Sequence, residues 1–208
     1  MIPPPPDSSG LLVAAAVLAE GTMLAFLAGI AMRFKARRPR TRANLSMRTI
    51  GAAAWVLNSI QLHAMTRSGR SFGALESVAV VGCTLAITLF FVTWRTTRDA
   101  DFGVALAPRQ PDSLVRHGPF AWIRHPFYTS YFLGWVSVAV LLQTWTSGLL
   151  AAAMCLFYAT AAFQEERLIA SSPLAADYAT YRADVGMFVP RLRERMRGDH
   201  HPRTTPRQ

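Results

Sequence analysis

Two short polar motifs stand at the ends of apolar segments in the second half of the chain, where their side chains could do chemistry. The first is basic and aromatic and precedes an apolar stretch of about 17 residues: Arg124-His125-Pro126-Phe127-Tyr128. The second is the acid pair Glu165-Glu166, which follows the next apolar stretch. Proline is favoured at the first position of a helix, because its missing N–H would have no partner there. We therefore interpret the first motif as the start of a membrane helix and the acid pair as the end of a helix that returns to it.

The two motifs together could bind a zwitterionic or polyvalent ligand. The free N–H groups at the start of a helix make a site for an anion, and a hairpin would place the two acids beside it. Because both helices rise about 1.5 Å per residue, the hairpin brings His125 level with Glu166. A purely structural alternative stays open, in which the acids form a salt bridge to Arg124, Arg167 or Arg116 and only hold the hairpin together.

The composition indicates a membrane protein. Of 208 residues, 51% are hydrophobic and 16% are charged, and the apolar residues are gathered into long blocks. The formal net charge of +10 could point to nucleic acid, but the basic residues lie between the apolar blocks, where membrane proteins carry cytoplasmic anchors. Nucleic-acid binding is therefore a weak alternative. Cys83 and Cys155 lack the spacing of a metal site, so we predict no metal and two small buried hydrophobic residues.

Five apolar segments are predicted to cross the membrane as helices. They cover approximately residues 11–32, 49–66, 74–94, 126–142 and 149–163. A helix needs about 20 residues to cross a hydrocarbon core of about 30 Å. Residues 143–148 are predicted to form the turn of the C-terminal hairpin, and residues 95–123 an interfacial or cytoplasmic loop that could hold one short amphipathic turn.

Several polar residues fall inside the first two predicted spans. An ionisable group at mid-membrane is costly, so Glu20 is either a functional residue or a protonated or hydrogen-bonded residue that faces the bundle. Asn58, Gln61 and His63 are expected to face other helices.

The distribution of basic residues predicts the orientation in the membrane. Residues 33–48 carry seven Lys or Arg and no acid, residues 95–124 carry five, and the chain from residue 164 carries eight. The opposite side has only Arg67 and Arg70. Because cytoplasmic loops are enriched in Lys and Arg, five spans place the N-terminus outside and the C-terminus in the cytoplasm. The Arg- and Ala-rich chain without sorting signals favours a bacterial inner membrane.

Four motifs, taken together, resemble the signature of a known family. They are, in chain order, Leu114-Val115-Arg116-His117-Gly118-Pro119-Phe120, then Arg124-His125-Pro126-Phe127-Tyr128, then Glu165-Glu166, then Asp177-Tyr178 and Tyr181 with Phe188-Val189-Pro190. Their order and spacing are similar to the C-terminal part of the isoprenylcysteine carboxyl methyltransferase and phospholipid methyltransferase superfamily. The resemblance covers roughly residues 112–191, while residues 1–110 match only in forming membrane helices.

The resemblance implies a methyltransferase that binds S-adenosylmethionine at the cytoplasmic end of its last two membrane helices. By position, it implies that the cofactor is bound by His117, Gly118, His125, Pro126, Tyr128, Glu165 and Glu166. The helix start with Arg124 or His125 would hold the methionyl carboxylate, and one of the acids the amino group or the ribose hydroxyls. Tyr128 would lie near the sulfonium or the adenine, because a ring face attracts a cation.

The implied acceptor is a lipid-like or prenyl/isoprenoid-type molecule that enters from the bilayer. A carboxylate acceptor is already a nucleophile at pH 7, and Arg124 would position it. An amine acceptor must lose a proton, which would require Glu165, Glu166 or a His as base. Carboxylate O-methylation is slightly favoured over amine N-methylation, with Arg124 and Glu166 as the catalytic residues. The alternative is a non-catalytic membrane scaffold or small transporter-like protein with a structural Arg/His/Glu cluster.

The predicted fold is an all-α integral membrane protein of about five transmembrane helices, with a C-terminal helical hairpin and a cytoplasmic cofactor pocket. Its parts are a disordered Pro-rich tail (1–10), a transmembrane scaffold (11–110), a methyltransferase-like cofactor-binding region (111–192) and a basic disordered tail (193–208). In the third part, Ser172-Pro173 is predicted to begin a short helix with Tyr178 and Tyr181 on one face, which Gly186 ends. Membrane lipids are the other expected partners, and the oligomeric state stays open.

Overall fold

The computed structural model describes residues 8–37, 42–98 and 114–191, with the side chains of residues 9–29, 49–98 and 114–191. Within these ranges the regular structure is helical: α1 (Ser8–Arg37), α2 (Arg42–Thr66), α3 (Ala74–Thr96), α4 (Pro126–Leu142), α5 (Trp145–Ala170) and α6 (Ala175–Asp184). A short 3-10 turn, Gly118–Ala121, precedes α4. The chain described is thus all-α, as the sequence predicts.

Several predicted segments lie wholly or partly outside the described residues. The predicted tail at 193–208, residues 1–7 of the other tail and residues 99–113 of the long loop are among them. Helix α1 already begins at Ser8, inside the segment predicted to be a tail. Helices α1 and α2 also extend into the basic segment 33–48, whose side chains are outside the described set.

Three of the helices are long and apolar enough to cross a membrane: Ser9–Gly29 of α1, Ala74–Thr96 and Trp145–Ala170. Helix α4 is apolar but shorter, and α2 is less apolar than the other long helices. Large apolar side chains on the outer faces, such as Val17, Leu85 and Leu156, are exposed. Faces of this kind suit contact with lipid rather than water. These helices support an integral membrane protein. Helices occupy all five predicted positions, and the count of five spans stays a prediction.

Helices α3 and α4 form the central pair of the bundle, with α5 packed on α4 and α1 packed on α2, α3 and α4. Aromatic rings fill the space between α1, α3 and α4. The ring of Phe26 lies 5.2 Å from that of Phe90 and 4.9 Å from that of Tyr131. Gly134 on α4 allows this approach, because a Cβ there would collide with the Phe26 ring. Small residues let membrane helices pack closely in this way.

Glu20 is a hydrogen-bonded residue inside the bundle. Its carboxylate accepts hydrogen bonds from the indole N–H of Trp55 at 2.9 Å and from the hydroxyl of Ser59 at 3.0 Å. Both partners lie on α2, so the acid joins α1 to α2. The hydrogen-bonded alternative for Glu20 is therefore the one observed.

The other polar residues of α2 differ in burial and in hydrogen bonding. Asn58 is buried, and Gln61 accepts a hydrogen bond from the hydroxyl of Thr144 at 2.7 Å. His63 is exposed. It follows the buried Leu62 by one position, which rotates it away from the packed face of the helix. The expectation that His63 faces another helix is wrong.

The turn of the C-terminal hairpin is shorter than predicted. Helix α4 ends at Leu142 and α5 begins at Trp145, so two residues join them. Gln143 adopts the left-handed conformation with φ 53°, which ends α4 abruptly. The hydroxyl of Thr144 accepts a hydrogen bond from the N–H of Ser147 at 3.2 Å and caps α5. The predicted turn at 143–148 and the predicted end at residue 163 are both wrong, because α5 is longer at each end.

Glu76 closes the end of the bundle at which α3 begins and α4 ends. One oxygen of its buried carboxylate accepts hydrogen bonds from Arg70 at 2.6 Å and Gln143 at 2.8 Å. The other oxygen accepts from the backbone N–H of Gly73 at 3.0 Å. Arg70 also donates to the carbonyl of Leu142 at 3.2 Å. The acid therefore links the loop after α2, the start of α3 and the end of α4.

Replacing Glu76 with Gln is expected to lower the free energy of unfolding by about 1–2 kcal/mol, because an amide cannot satisfy three donors and a guanidinium charge. Equilibrium unfolding in mixed detergent micelles measures it. The neighbouring Ser77→Ala variant is the control, since its exposed hydroxyl bonds only to the carbonyl of Gly73. Equal stability of the two variants would show that the link contributes nothing.

Candidate functional site

The chain after α6 folds back onto the start of α4. The backbone N–H of Arg124 donates to the carbonyl of Gly186 at 2.8 Å, and that of His125 donates to Met187 at 3.1 Å. Ile123 and Gly186 form an isolated parallel bridge. The backbone that presents Arg124 and His125 is therefore held by a segment that lies more than 60 residues later in the chain.

The side chains at the start of α4 converge on both acids of α5. The Nε of Arg124 donates to Oε1 of Glu166 at 2.9 Å, and the Nε2 of His125 lies 3.2 Å from the same oxygen. The Nδ1 of His125 lies 3.6 Å from Oε2 of Glu165. The hydroxyl of Tyr128 donates to Oε1 of Glu165 at 3.0 Å. We call these five side chains the carboxylate network.

The hairpin prediction is confirmed at this point, because His125 contacts Glu166. Proline also stands at the first position of α4, as predicted, with His125 as the residue that precedes the helix. The two acids lie near the C-terminal end of α5, as predicted, five and four residues before its last residue, Ala170.

Burial differs between the two acids. Arg124, His125, Tyr128 and Glu166 are each at most 8% exposed. The side chain of Glu165, in contrast, is 24% exposed. Glu165 is therefore the acid that a ligand could reach, while Glu166 is enclosed by protein.

Arg124 also holds the C-terminal segment. Its Nη1 donates to the carbonyl of Arg182 at 3.2 Å and to the carbonyl of Val185. With the bond to Glu166, the guanidinium joins the start of α4, the end of α5 and the end of α6. The structural salt bridge that the sequence left open is thus present, and Arg124 is the cation that forms it. Arg116 instead donates to the carbonyl of Asp177 at 2.8 Å.

Helix α6 packs one tyrosine face against this region. It begins at Ala175, later than the predicted start at Pro173, because Ser172 accepts a hydrogen bond from the N–H of Leu174 in a turn before the helix. Tyr178 and Tyr181 share a buried face, as predicted, with ring centroids 6.1 Å apart.

The hydroxyl of Tyr181 donates to the carbonyl of Phe120 at 2.6 Å. Burial raises the pKa of Tyr181 to about 12, so its hydroxyl is a donor at neutral pH. Tyr181 thereby fastens α6 to the 3-10 turn before α4. Helix α6 ends at Asp184, and Val185 is already extended, one residue before the predicted stop at Gly186.

Aromatic rings border the carboxylate network. The imidazole of His125 lies 5.6 Å from the ring of Tyr128 and 5.9 Å from that of Phe188. Tyr128 in turn lies 5.9 Å from Tyr158 on α5, and Phe188 lies 4.8 Å from Phe132 on α4. Ring faces of this kind can attract a cation.

Two of the predicted cofactor-binding residues lie apart from the network. His117 and Gly118 are exposed, and neither contacts Glu165 or Glu166 among the described residues. Gly118 has φ +59°, and a Cβ there would collide with the side chain of Thr96 at the end of α3. The positive φ and the close approach of Thr96 explain why this position is a glycine.

Arg182 is a neighbour of the network that the sequence did not indicate. Its Nε lies 3.7 Å from Oε2 of Glu166, and its side chain is 60% exposed. The sequence could have indicated it, because Arg182 follows Tyr178 by four residues. This spacing places both residues on one side of a helix.

No curated protein matches the chain. A family model does match residues 78–171, that of the isoprenylcysteine carboxyl methyltransferase (ICMT) family. The matched region runs from α3 to the end of α5 and includes the motifs at 124–128 and 165–166. It begins earlier than the resemblance at 112–191 and ends before α6. The matched family is the one that the four motifs resemble, and the match supports a membrane methyltransferase in general.

Proposed function

We propose that this protein transfers a methyl group from S-adenosylmethionine to a lipid-like or prenyl/isoprenoid-type acceptor in the membrane. The observation that carries the proposal is the carboxylate network, which lies inside the region that matches the ICMT family. A structural salt bridge requires only Arg124 and Glu166. The network adds a second, partly exposed acid, Glu165, and Tyr128 and His125 hold that acid in place.

The residues present fit the proposed cofactor by their chemistry. S-adenosylmethionine supplies a methyl group on a positively charged sulfonium, and it carries an ammonium and hydroxyl groups. The accessible carboxylate of Glu165 can accept hydrogen bonds from an ammonium or from ribose hydroxyls. The faces of His125, Tyr128 and Phe188 line the same region and can attract the sulfonium.

Each residue of the network would have its own task. Glu165 would bind the cofactor, and His125 would orient both acids. Arg124, which the sequence predicted to be catalytic, is better described as a positioning residue, because its Nε and Nη1 are already bonded to Glu166 and to two carbonyls. Glu166, the other residue that the sequence predicted to be catalytic, is enclosed by protein and bonded to Arg124 and His125, so we propose a positioning role for it as well. Methyl transfer depends mainly on such alignment and on the exclusion of water.

The nature of the acceptor decides whether a base is needed. A carboxylate requires none, whereas an amine would need His125, Glu165 or Glu166 to take its proton. The matched family is described as a carboxyl methyltransferase family, which favours O-methylation. Lipid extract incubated with the protein and a methyl-labelled donor separates the two, because base releases the label from an ester and leaves it on an amine.

The site is proposed to face the cytoplasm of a bacterial cell, where the cofactor is available. Residues 95–124 and the chain from residue 164 carry five and eight basic residues, and both segments adjoin the network. Under the positive-inside rule this places the N-terminus outside and the C-terminus inside.

Purified protein in detergent is expected to bind S-adenosylmethionine, as measured by isothermal titration calorimetry. The Glu165→Gln variant is expected to weaken binding by about tenfold or more, the effect of one hydrogen bond to a charged group. Glu20→Gln is the control, because that acid lies on α1 and bonds only to α2.

An absence of binding by the unchanged protein would contradict the proposal, as would equal binding by a double Glu165→Gln, Glu166→Gln variant. Either result would favour the alternative of a membrane scaffold or small transporter-like protein in which the cluster is structural.

A further inference from the structure

The hydroxyl of Tyr178 is buried beside the carboxylate network without a hydrogen bond. The residue is 4% exposed, and its Oη has no hydrogen-bond partner within the described residues. Leaving a buried polar group unpaired is energetically unfavourable. Burial raises the pKa of this hydroxyl, and the nearby carboxylate of Glu166 raises it further. The hydroxyl is therefore protonated, and it lies near both Glu166 and Arg124 without a well-formed hydrogen bond to either.

An underused acceptor lies in the same cluster. Oε1 of Glu166 is the hydrogen-bonding partner of both Arg124 and His125. Oε2 has the guanidinium of Arg182 nearby, but at 3.7 Å that contact is longer than a hydrogen bond. The hydroxyl of Tyr178 lies near this carboxylate but makes no hydrogen bond to it.

Helix α6, which carries Tyr178, is held in place by contacts on both sides of this residue. On the same face of α6, Tyr181 is fastened to the carbonyl of Phe120. The guanidinium of Arg116 lies 5.8 Å from the centre of the Tyr181 ring and donates to the carbonyl of Asp177. With α6 fixed at these points, the adjustment falls to the acid on α5.

We propose that Tyr178 is a positioning residue of the cofactor site, whose hydroxyl donates to Oε2 of Glu166 when the site is loaded. The inference rests on the proposed function, because S-adenosylmethionine is the ligand that loads the site. A hydrogen bond that forms only in the loaded state adds to the affinity, since a ligand gains from every interaction that its binding completes. The bond would also keep Glu166 in one orientation and, through it, the His125 ring that lies against the accessible Glu165.

The test compares Tyr178→Phe with Tyr181→Phe in the full-length protein purified in detergent. Both variants remove one hydroxyl from the same face of α6, but only the hydroxyl of Tyr181 is bonded in the structure. For each variant, calorimetry gives the Kd for S-adenosylmethionine, and a thermal melt without ligand gives the Tm.

Tyr178→Phe is expected to keep or raise the Tm, because it removes an unpaired buried hydroxyl, and to raise the Kd by about tenfold or more. Tyr181→Phe is expected to lower the Tm and to change the Kd by less than about twofold, because its bond serves the fold.

The possible outcomes distinguish a failure of this inference from a failure of the proposed function. Binding by the unchanged protein with an equal Kd for Tyr178→Phe would overturn this inference and leave the proposed function standing. A drop in Tm for Tyr178→Phe as large as that for Tyr181→Phe would also overturn it, since the hydroxyl would already be bonded in the empty protein. No binding by the unchanged protein would overturn the proposed function and this inference together.

Discussion

Replacing Arg124 with Met is expected to lower the free energy of unfolding by about 3–5 kcal/mol, because a buried carboxylate then loses its cation. Both partners of this pair have side chains that are 6% exposed, so water cannot take over from the guanidinium. The change also removes the bonds to the carbonyls of Arg182 and Val185. Equilibrium unfolding in mixed detergent micelles measures the loss, and methyl transfer to lipid extract should fall with it.

Arg182→Met is the matched control for this experiment. Its side chain is 60% exposed and lies 3.7 Å from the same acid, so its removal is expected to cost no more than about 1 kcal/mol. A double variant with Arg124→Met and Glu166→Gln should recover part of the stability, because no unpaired charge is left in the interior. If Arg124→Met were as stable as Arg182→Met, the buried pair would not be what holds α4, α5 and α6 together.

A second large effect is expected from Gly186→Ala. A Cβ at this position would collide with the backbone carbonyl of Val189, and a backbone atom cannot move aside as a side chain can. The segment that pairs with Arg124 and His125 would have to shift. A displacement of about 1 Å in a site can cost about a hundredfold in rate, and overpacking costs about 1–3 kcal/mol. Initial rates of methyl transfer and thermal melts measure the two effects.

Gly148→Ala provides the comparison on α5. No atom lies within 4 Å of a Cβ built there, and alanine forms helices better than glycine by about 0.5–1 kcal/mol. This variant is expected to be as active as the unchanged protein and at least as stable. Normal activity of Gly186→Ala would show that the segment after α6 does not set the geometry of the network.

The regular geometry of helices is what made part of the site predictable. Because the rise per residue is constant, counting back from the hairpin turn paired His125 with Glu166, and the structure has that contact. The same regularity placed Tyr178 and Tyr181 on one face of α6. Long apolar segments likewise predicted the positions of the helices better than their ends.

The features that were not predicted depend on single backbone conformations or on distant parts of the chain. No sequence pattern indicates that Gln143 adopts the left-handed backbone conformation. The sequence therefore predicts a longer hairpin turn than the one observed. The pairing of residues 123–125 with 186–187 joins two short irregular segments that have no periodicity to read. The same long-range fold brings Arg182 to the network. His117 and Gly118 lie in an exposed turn beside the end of α3, apart from the network, and their role in cofactor binding stays a prediction.

The backbone pairing at Gly186 also orders events during synthesis. A chain is made from its N-terminus, and domains tend to form as soon as their residues emerge. Helices α1 to α5 are complete once residue 170 has been made. The carbonyls that hold Arg124 and His125 belong to residues 182–187, which leave the ribosome after all five of these helices. A nascent chain halted between these two points would carry its membrane helices while the ligand region was still open. The protein would become competent only after its C-terminal segment had closed over a bundle that was already in the membrane.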